Sequence, residues 1–179
     1  SLNERDKMAP GIWEGTDDLV TMSTCAATHI DALSHISYDG LLYGGRSQKT
    51  IGANNGATWC GAEQLPDIVT RGILLDVARA LGVDRVDPGH AVTAADLDAA
   101  LAATGLTVEP GDVICIRTGD IGWYHDGDRR RYAVGVDWKT VGLGFSCVEW
   151  FAEREVAGAF VDTYTYEVMP PESGNWDDL

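Results

Sequence analysis

The 179-residue chain has four histidines, and two of them, His29 and His35, share one eight-residue stretch, THIDALSH, with Asp31 between them. In an extended segment alternate side chains point the same way. His29 and Asp31 then share a face, which Leu33 and His35 join if the extension persists. An imidazole and a carboxylate so placed can approach one divalent ion, and zinc, manganese or iron suits that pair of donors. His35 stands where it can add a third ligand or act beside the metal as an acid/base, since imidazole titrates near ~6.5. Spacing alone fits a second reading equally well. There the two histidines are hydrogen-bonded into a strand-to-loop transition and Asp31 caps a turn.

Other chemistry has weaker support. Ser34 adjoins His35, but no G-x-S-x-G elbow is present. LLYGGR and the scattered glycines form neither a G-x-x-x-x-G-K-[ST] phosphate loop nor a full G-x-G-x-x-G. Asp162 and Glu167 follow an apolar run, at the strand end where α/β folds present catalytic groups. The favoured role for Asp162 is nonetheless to end the strand and cap a turn. Arg117, closing DVICIRT, reads as an ion pair at the end of a sheet. His90 sits in a turn and His125 in a polar loop, and both are expected at the surface. Trp123, Tyr124, Trp138 and Phe145 read either as the wall of a pocket or as cover for the core. Arg129, Arg130 and Arg131, the one basic cluster, read as a solvated loop face.

These groups need elements to hold them. GILLDVA (72–78) is a continuous apolar run, read as a strand buried on both faces. TAADLDAALAATG reads as a helix, with Thr93 as cap, Asp96 in the first turn, Leu97 and Leu101 on one face, and Gly105 as the stop. DVICIRT (112–118), after the turn EPGD, is a second buried strand, with a buried thiol expected at Cys115. SCVEWFAEREV opens with Ser146 and carries Glu149 three positions on, a capping box for a further helix. AGAFVDT (157–163) is a third strand. Strand, helix, strand, helix, strand means α/β, with the three strands in a shared sheet. Before this region LVTMST suggests a strand running into a loop. Residues 38–61 and 119–144 read as loops, and long loops are commonly functional.

Composition sets the outer bounds. The length suits one domain, residues 1–179. A net charge of −15 repels phosphate backbones and anionic lipid, so neither nucleic acid nor a membrane is an expected partner. A small-molecule substrate fits. No apolar run approaches the ~20 residues of a membrane span, and the polar SLNERDKMAP does not read as a signal peptide. The cytoplasm is the expected location. Cys25, Cys60, Cys115 and Cys147 show no C-x-x-C pairing and are expected as free thiols.

The stretch CAATHIDALSH resembles H-x-G-T-H-x-D-x-P-x-H, the signature of the cyclase family of metal-dependent hydrolases, which includes bacterial kynurenine formamidase and isatin hydrolase. Thr28, His29, Asp31 and His35 match it. YDGLLYGG, RGILLDVARALGV, VTAADLDAAL, GDVICIRTG and EREVAGAFVDTYTYEVMP resemble family segments in family order, over nearly the whole chain. The resemblance implies a swivelling β/β/α fold with a mixed sheet and flanking helices, and a homodimer. It implies that His29 is a metal ligand, Asp31 a ligand bridging two metals and His35 the general acid/base, with zinc or manganese as cofactor. It also implies hydrolysis of an amide-like C–N bond in a formylated or cyclic small molecule. Three positions depart from the signature: Cys25 replaces its first histidine, Ala27 its glycine and Leu33 its proline. Cys25 is either a thiolate ligand or structural, and the small apolar AAT beside it favours a structural, buried role. The family's remaining histidine and glutamate ligands fall beyond the segment matching DTYTYEVMP, so the chain is expected to lack that C-terminal part. Two alternatives stay open: a metal-free or metal-weakened cyclase or dehydratase using His35 and Asp31, and a binding protein without chemistry on the same fold.

Overall fold

A computed structural model describes residues 5–7, 14–16 and 18–175. The chain forms two compact units, Ser1–Pro66 and Asp67–Leu179.

The first unit contains little regular structure. Strands β1 (Arg5–Lys7) and β2 (Glu14–Thr16) pair antiparallel, as do β3 (Ile51–Gly52) and β4 (Gly56–Ala57). Single 3-10 turns occupy Thr24–Ala26, Tyr43–Gly45, Gln48–Thr50 and Ala62–Gln64. LVTMST is not a strand. It runs irregularly into the Thr24–Ala26 turn, where the Ser23 hydroxyl accepts the Cys25 N–H. A short polar side chain offering the backbone an alternative partner competes with strand pairing in this way.

The second unit carries the α/β architecture. In order it comprises β5 (Gly72–Asp76), α1 (Val77–Ala80), β6 (Ala91–Val92), α2 (Ala94–Thr104), β7 (Val113–Arg117), α3 (Ile121–His125), α4 (Arg129–Val134), β8 (Gly142–Leu143), α5 (Ser146–Glu153) and β9 (Gly158–Val161). The three strands anticipated from apolar runs form one parallel sheet in the order β5-β7-β9, and β6 pairs parallel with β8. Parallel and antiparallel pairs with flanking helices make the fold mixed α/β.

One face of the β5-β7-β9 sheet makes the core. Ile73, Leu75, Ile114 and Ile116 meet Leu97 and Ala100 of α2 and Cys147 and Trp150 of α5, all nearly solvent-free. Burying each large aliphatic side chain stabilises by about 1.5–3 kcal/mol. The other face differs from the expectation of burial on both sides. Leu74, Cys115 and Phe160 lie side by side in register there, with Leu74 58% exposed and Cys115 only half-buried. An apolar run records hydrophobicity at every position but not which face is covered. The deeply buried thiol is Cys147, donating to the Val92 carbonyl. Burial raises it to about 11.

Helix α2 follows its local signals. Thr93 and Asp96 form a reciprocal capping box, and Gly105 at φ 69° ends the helix in the left-handed conformation glycine tolerates. Helix α5 forms where expected, but without its box. The Ser146 hydroxyl instead accepts the N–H of Ala94, fastening α5 to the start of α2. Between the two helices, Asp98 accepts from Trp150 Nε1 at 2.7 Å. At the entry to the sheet Arg71 makes a two-pronged pair with the buried Asp112, at 2.9 and 2.6 Å. This pair holds the Asp112 carboxyl below its ordinary range, the Arg71 hydrogen bond being the largest cause.

Residues 119–144, expected as loop, contain α3, α4 and β8. The arginines are not a uniformly solvated face. Arg131 lies 3.6 Å over the Trp123 ring and Arg129 5.1 Å over Tyr124. Such stacking contributes ~0.5–2 kcal/mol per pair. Among the described residues no helix is long and apolar enough to cross a membrane.

Candidate active site

His29 and Asp31 meet. The segment leaves the Thr24–Ala26 turn through Ala27 in extended geometry, and His29 Nδ1 lies 2.8 Å from the Ala27 carbonyl oxygen. A carbonyl has no proton to give, so Nδ1 carries the hydrogen and donates. A neutral ring then presents a bare lone pair at Nε2. That nitrogen lies 3.4 Å from Asp31 Oδ1. Two electron-rich atoms face each other at a separation too long for a good hydrogen bond. A shared cation, or a second proton on the ring, reconciles them.

The distance suits a metal. Zinc sits ~2.0–2.1 Å from an imidazole nitrogen and ~2.0–2.2 Å from a carboxylate oxygen, so at a tetrahedral angle the two donors lie about 3.4 Å apart. A metal-bound histidine commonly donates its other N–H to a carbonyl, as His29 does, which fixes the ring. His29 and Asp31 therefore fit as a ligand pair, with side chains 34% and 55% exposed and open to an incoming ion.

The extension does not persist to His35. The chain turns at Ala32, whose carbonyl accepts the His35 N–H at 2.8 Å, while the buried Ser34 donates its N–H to Cys60 O at 3.2 Å. This turn carries His35 off the alternating line and leaves its imidazole exposed. Cys25 is exposed too, which removes the packing reason for a structural role. Among the described residues no group of three or more His, Cys, Asp or Glu side chains is placed to hold a metal. The geometry joins His29 to Asp31 and goes no further.

In the second unit the carboxyl edge of the parallel sheet gathers the other candidates. Asp162 does cap a turn. One carboxylate oxygen accepts the Thr118 N–H at 2.8 Å and the Thr118 hydroxyl at 2.7 Å, and the other accepts the Gly119 N–H at 2.8 Å. Gly119 has φ 83°, and a Cβ there would strike the Asp84 carbonyl. Arg117 is in an ion pair, with Asp76 at 2.7 Å. His90 is half-buried beside Asp96 at 3.4 Å, and His125 is exposed. The aromatic residues do not share one pocket. Phe145 borders an apolar cavity with Cys147, Phe151 and Tyr166, Trp138 borders a groove with Arg130, and Trp123 stacks on arginines. Glu167 is an exposed member of the apolar cavity's rim.

Asp120 escaped sequence reasoning. It follows Thr118-Gly119, is 6% exposed, and stands at the N-cap of α3 without a side-chain capping bond to that helix. Burial raises it to about 6, the Asp162 charge adds to this, and Arg131 and Arg85 oppose it. The available signal was its position, directly after an apolar strand in RTGD.

Comparison with known proteins agrees with this architecture. The Cyclase family model matches residues 5–168. A solved structure described as a novel cyclase is similar at 31% sequence identity with a TM-score of 0.78, covering 91% of this chain and 54% of that one. The chain thus spans about half the length of that relative. No curated protein matches it. The chain belongs to the Cyclase family.

Proposed function

We propose that this protein is a metal-dependent hydrolase that cleaves an amide-like C–N bond, a formamide or a cyclic amide, in a small molecule. The observation carrying the reading is the His29–Asp31 pair, with Nε2 bare, Nδ1 tied to a carbonyl and 3.4 Å between the two donors. Membership in the Cyclase family supports an enzyme.

Zinc or manganese bound there would acidify a water from a pKa of 15.7 towards ~7 and polarise the scissile carbonyl. His29 and Asp31 hold and orient. The Nδ1–H···O=C bond keeps the imidazole in the tautomer that ligates. His35 moves the proton. In its neutral form it accepts one from the attacking water, then delivers it to the nitrogen as the C–N bond breaks, so the amide and water yield a carboxylic acid and an amine. Its exposed ring is free to make both transfers. A homodimer in a soluble compartment completes the proposal.

Elemental analysis of the purified protein tests it, with His29→Ala and Asp31→Ala beside the wild type and turnover of N-formyl aromatic amines and cyclic amides as the second readout. Metal in the wild type, lost from both variants together with turnover, is the expected result. Full occupancy in both variants overturns the ligand assignment. Turnover without metal would favour a cyclase or dehydratase using His35 and Asp31. Neither metal nor turnover would leave a binding protein on this fold.

A further inference from the structure

Helix α5 and the chain that returns after β9 enclose an apolar cavity of about 150 Å³. All of its walls come from the second unit. Cys147, Val148 and Phe151 line it from α5, and Tyr166, Val168 and Pro171 from the returning chain. Hydrogen bonds hold the two walls together. The Leu143 N–H donates to the Tyr166 carbonyl at 2.9 Å and the Val168 N–H to the Leu143 carbonyl at 3.2 Å. Glu172 accepts the Phe145 N–H at 2.6 Å. Two glycines permit the close approach: a Cβ on Gly142 would strike the Glu167 backbone, and one on Gly144 would strike the Glu172 carboxylate. The cavity is thus built by the backbone and is not slack between side chains. An apolar void of this size forfeits dispersion contacts along its lining, and one walled by aliphatic and aromatic groups takes up benzene in preference to water.

We propose that this cavity binds a small apolar ammonium ion, its body between α5 and the returning chain and its charged end at Glu167 and Glu172. The volume sets the body at about one six-membered ring. The rim sets the charge. Glu167 and Glu172 are both exposed carboxylates, and no Lys, Arg or His lines the cavity. The other two ionisable groups of the wall stay neutral at ordinary pH, because burial pushes the Tyr166 hydroxyl up to about 12 and the Cys147 thiol up to about 11. An anion would meet two carboxylates and no cation. A neutral ring would fill the space but leave both carboxylates unanswered. The way in is open, with Phe145 54% and Val148 67% exposed.

The test is a titration of the whole protein with three probes of similar shape, followed by NMR at the methyl groups of Val148 and Val168. Benzylammonium carries the cation, benzyl alcohol is its neutral counterpart, and phenylacetate is an anion. Benzylammonium is expected to shift both valines saturably. Benzyl alcohol should bind about threefold more weakly and phenylacetate about tenfold, the scale set by partly screened charges at an exposed rim. Glu167→Gln should draw benzylammonium towards the alcohol and leave the alcohol's own affinity unchanged. Raising the salt to about 1 M, where the screening length falls to ~3 Å, reads the same preference without any substitution. The absence of a saturable benzylammonium shift at both valines would overturn the proposal. So would binding of phenylacetate as tight as that of benzylammonium, or a preference for the cation that neither Glu167→Gln nor salt reduces.

Discussion

Asp162→Asn tests the account of the sheet's carboxyl edge most directly. The carboxylate accepts three hydrogen bonds, from the Thr118 N–H, the Thr118 hydroxyl and the Gly119 N–H, all at 2.7–2.8 Å. Asparagine keeps one acceptor oxygen and turns the other into an NH2, which must face either Gly119 or Thr118, donor against donor. A hydrogen bond to a charged group contributes ~1.5–3 kcal/mol, and a buried donor left unmet costs ~1–3 kcal/mol. One compensation exists. The Asp162 charge that opposes ionisation of Asp120 disappears, returning a smaller part. The net expectation is a loss of about 2–4 kcal/mol. Melting should drop by about 4–16 °C, taking ~2–4 °C per kcal/mol for a chain of this size. Urea denaturation with an unchanged slope measures the loss. A second readout separates the hydrogen bonds from the charge: the Asp120 carboxyl, followed by NMR, should titrate below its wild-type value, yet stay above the ordinary 3.8 because burial remains. A loss under about 0.5 kcal/mol, the level of a surface substitution, would refute the claim that Asp162 holds this turn.

His35→Ala should keep bound metal and lose about two to four decades in kcat, the usual contribution of general acid–base catalysis; wild-type turnover would remove His35 from the mechanism. Cys25→Ala should change stability by no more than about 0.5 kcal/mol, because the residue is exposed. Its metal content should stay at the wild-type level, and loss of metal with the fold intact would make Cys25 a ligand. Asp120 binds its proton more tightly folded than unfolded, at about 6 against 3.8, so stability falls as pH rises between these values and the loss persists above about 6. Asp120→Asn should remove that slope and recover up to about 3 kcal/mol at pH 7, read by urea denaturation from pH 4 to 8.

The second unit was readable wherever its signals are local. Helix α2 carries cap, first-turn acid and stop glycine within its own residues, and all three act as their chemistry suggests. The strands were readable as strands because β-branched and apolar residues concentrate there, but their faces were not. Which side of the sheet a helix covers is decided elsewhere in the chain, and Cys115 points to the less covered side. Ser146 shows the same limit at a single atom. Its spacing to Glu149 is right for a box, but the Ala94 N–H, 52 residues away, takes the hydroxyl first. The short helices α3 and α4 lack a periodic apolar stripe, and their arginine–tryptophan stacking is not visible in a residue count.

The two kinds of site residue differ for a related reason. The His29–Asp31 pair is written locally, since two residues' spacing in an extended segment brings Nε2 and Oδ1 to 3.4 Å. A carboxyl's proton affinity cannot. Asp120 differs from any other turn aspartate only through what surrounds it: Asp162 from the end of β9, Arg85 from the loop after α1, and Arg131 from α4. Those residues span 78 positions of the chain, and only the parallel pairing of β7 with β9 brings Asp162 beside the Thr118–Gly119 turn. The proposed ligand pair is therefore read from a motif, whereas the perturbed acid is a property of topology.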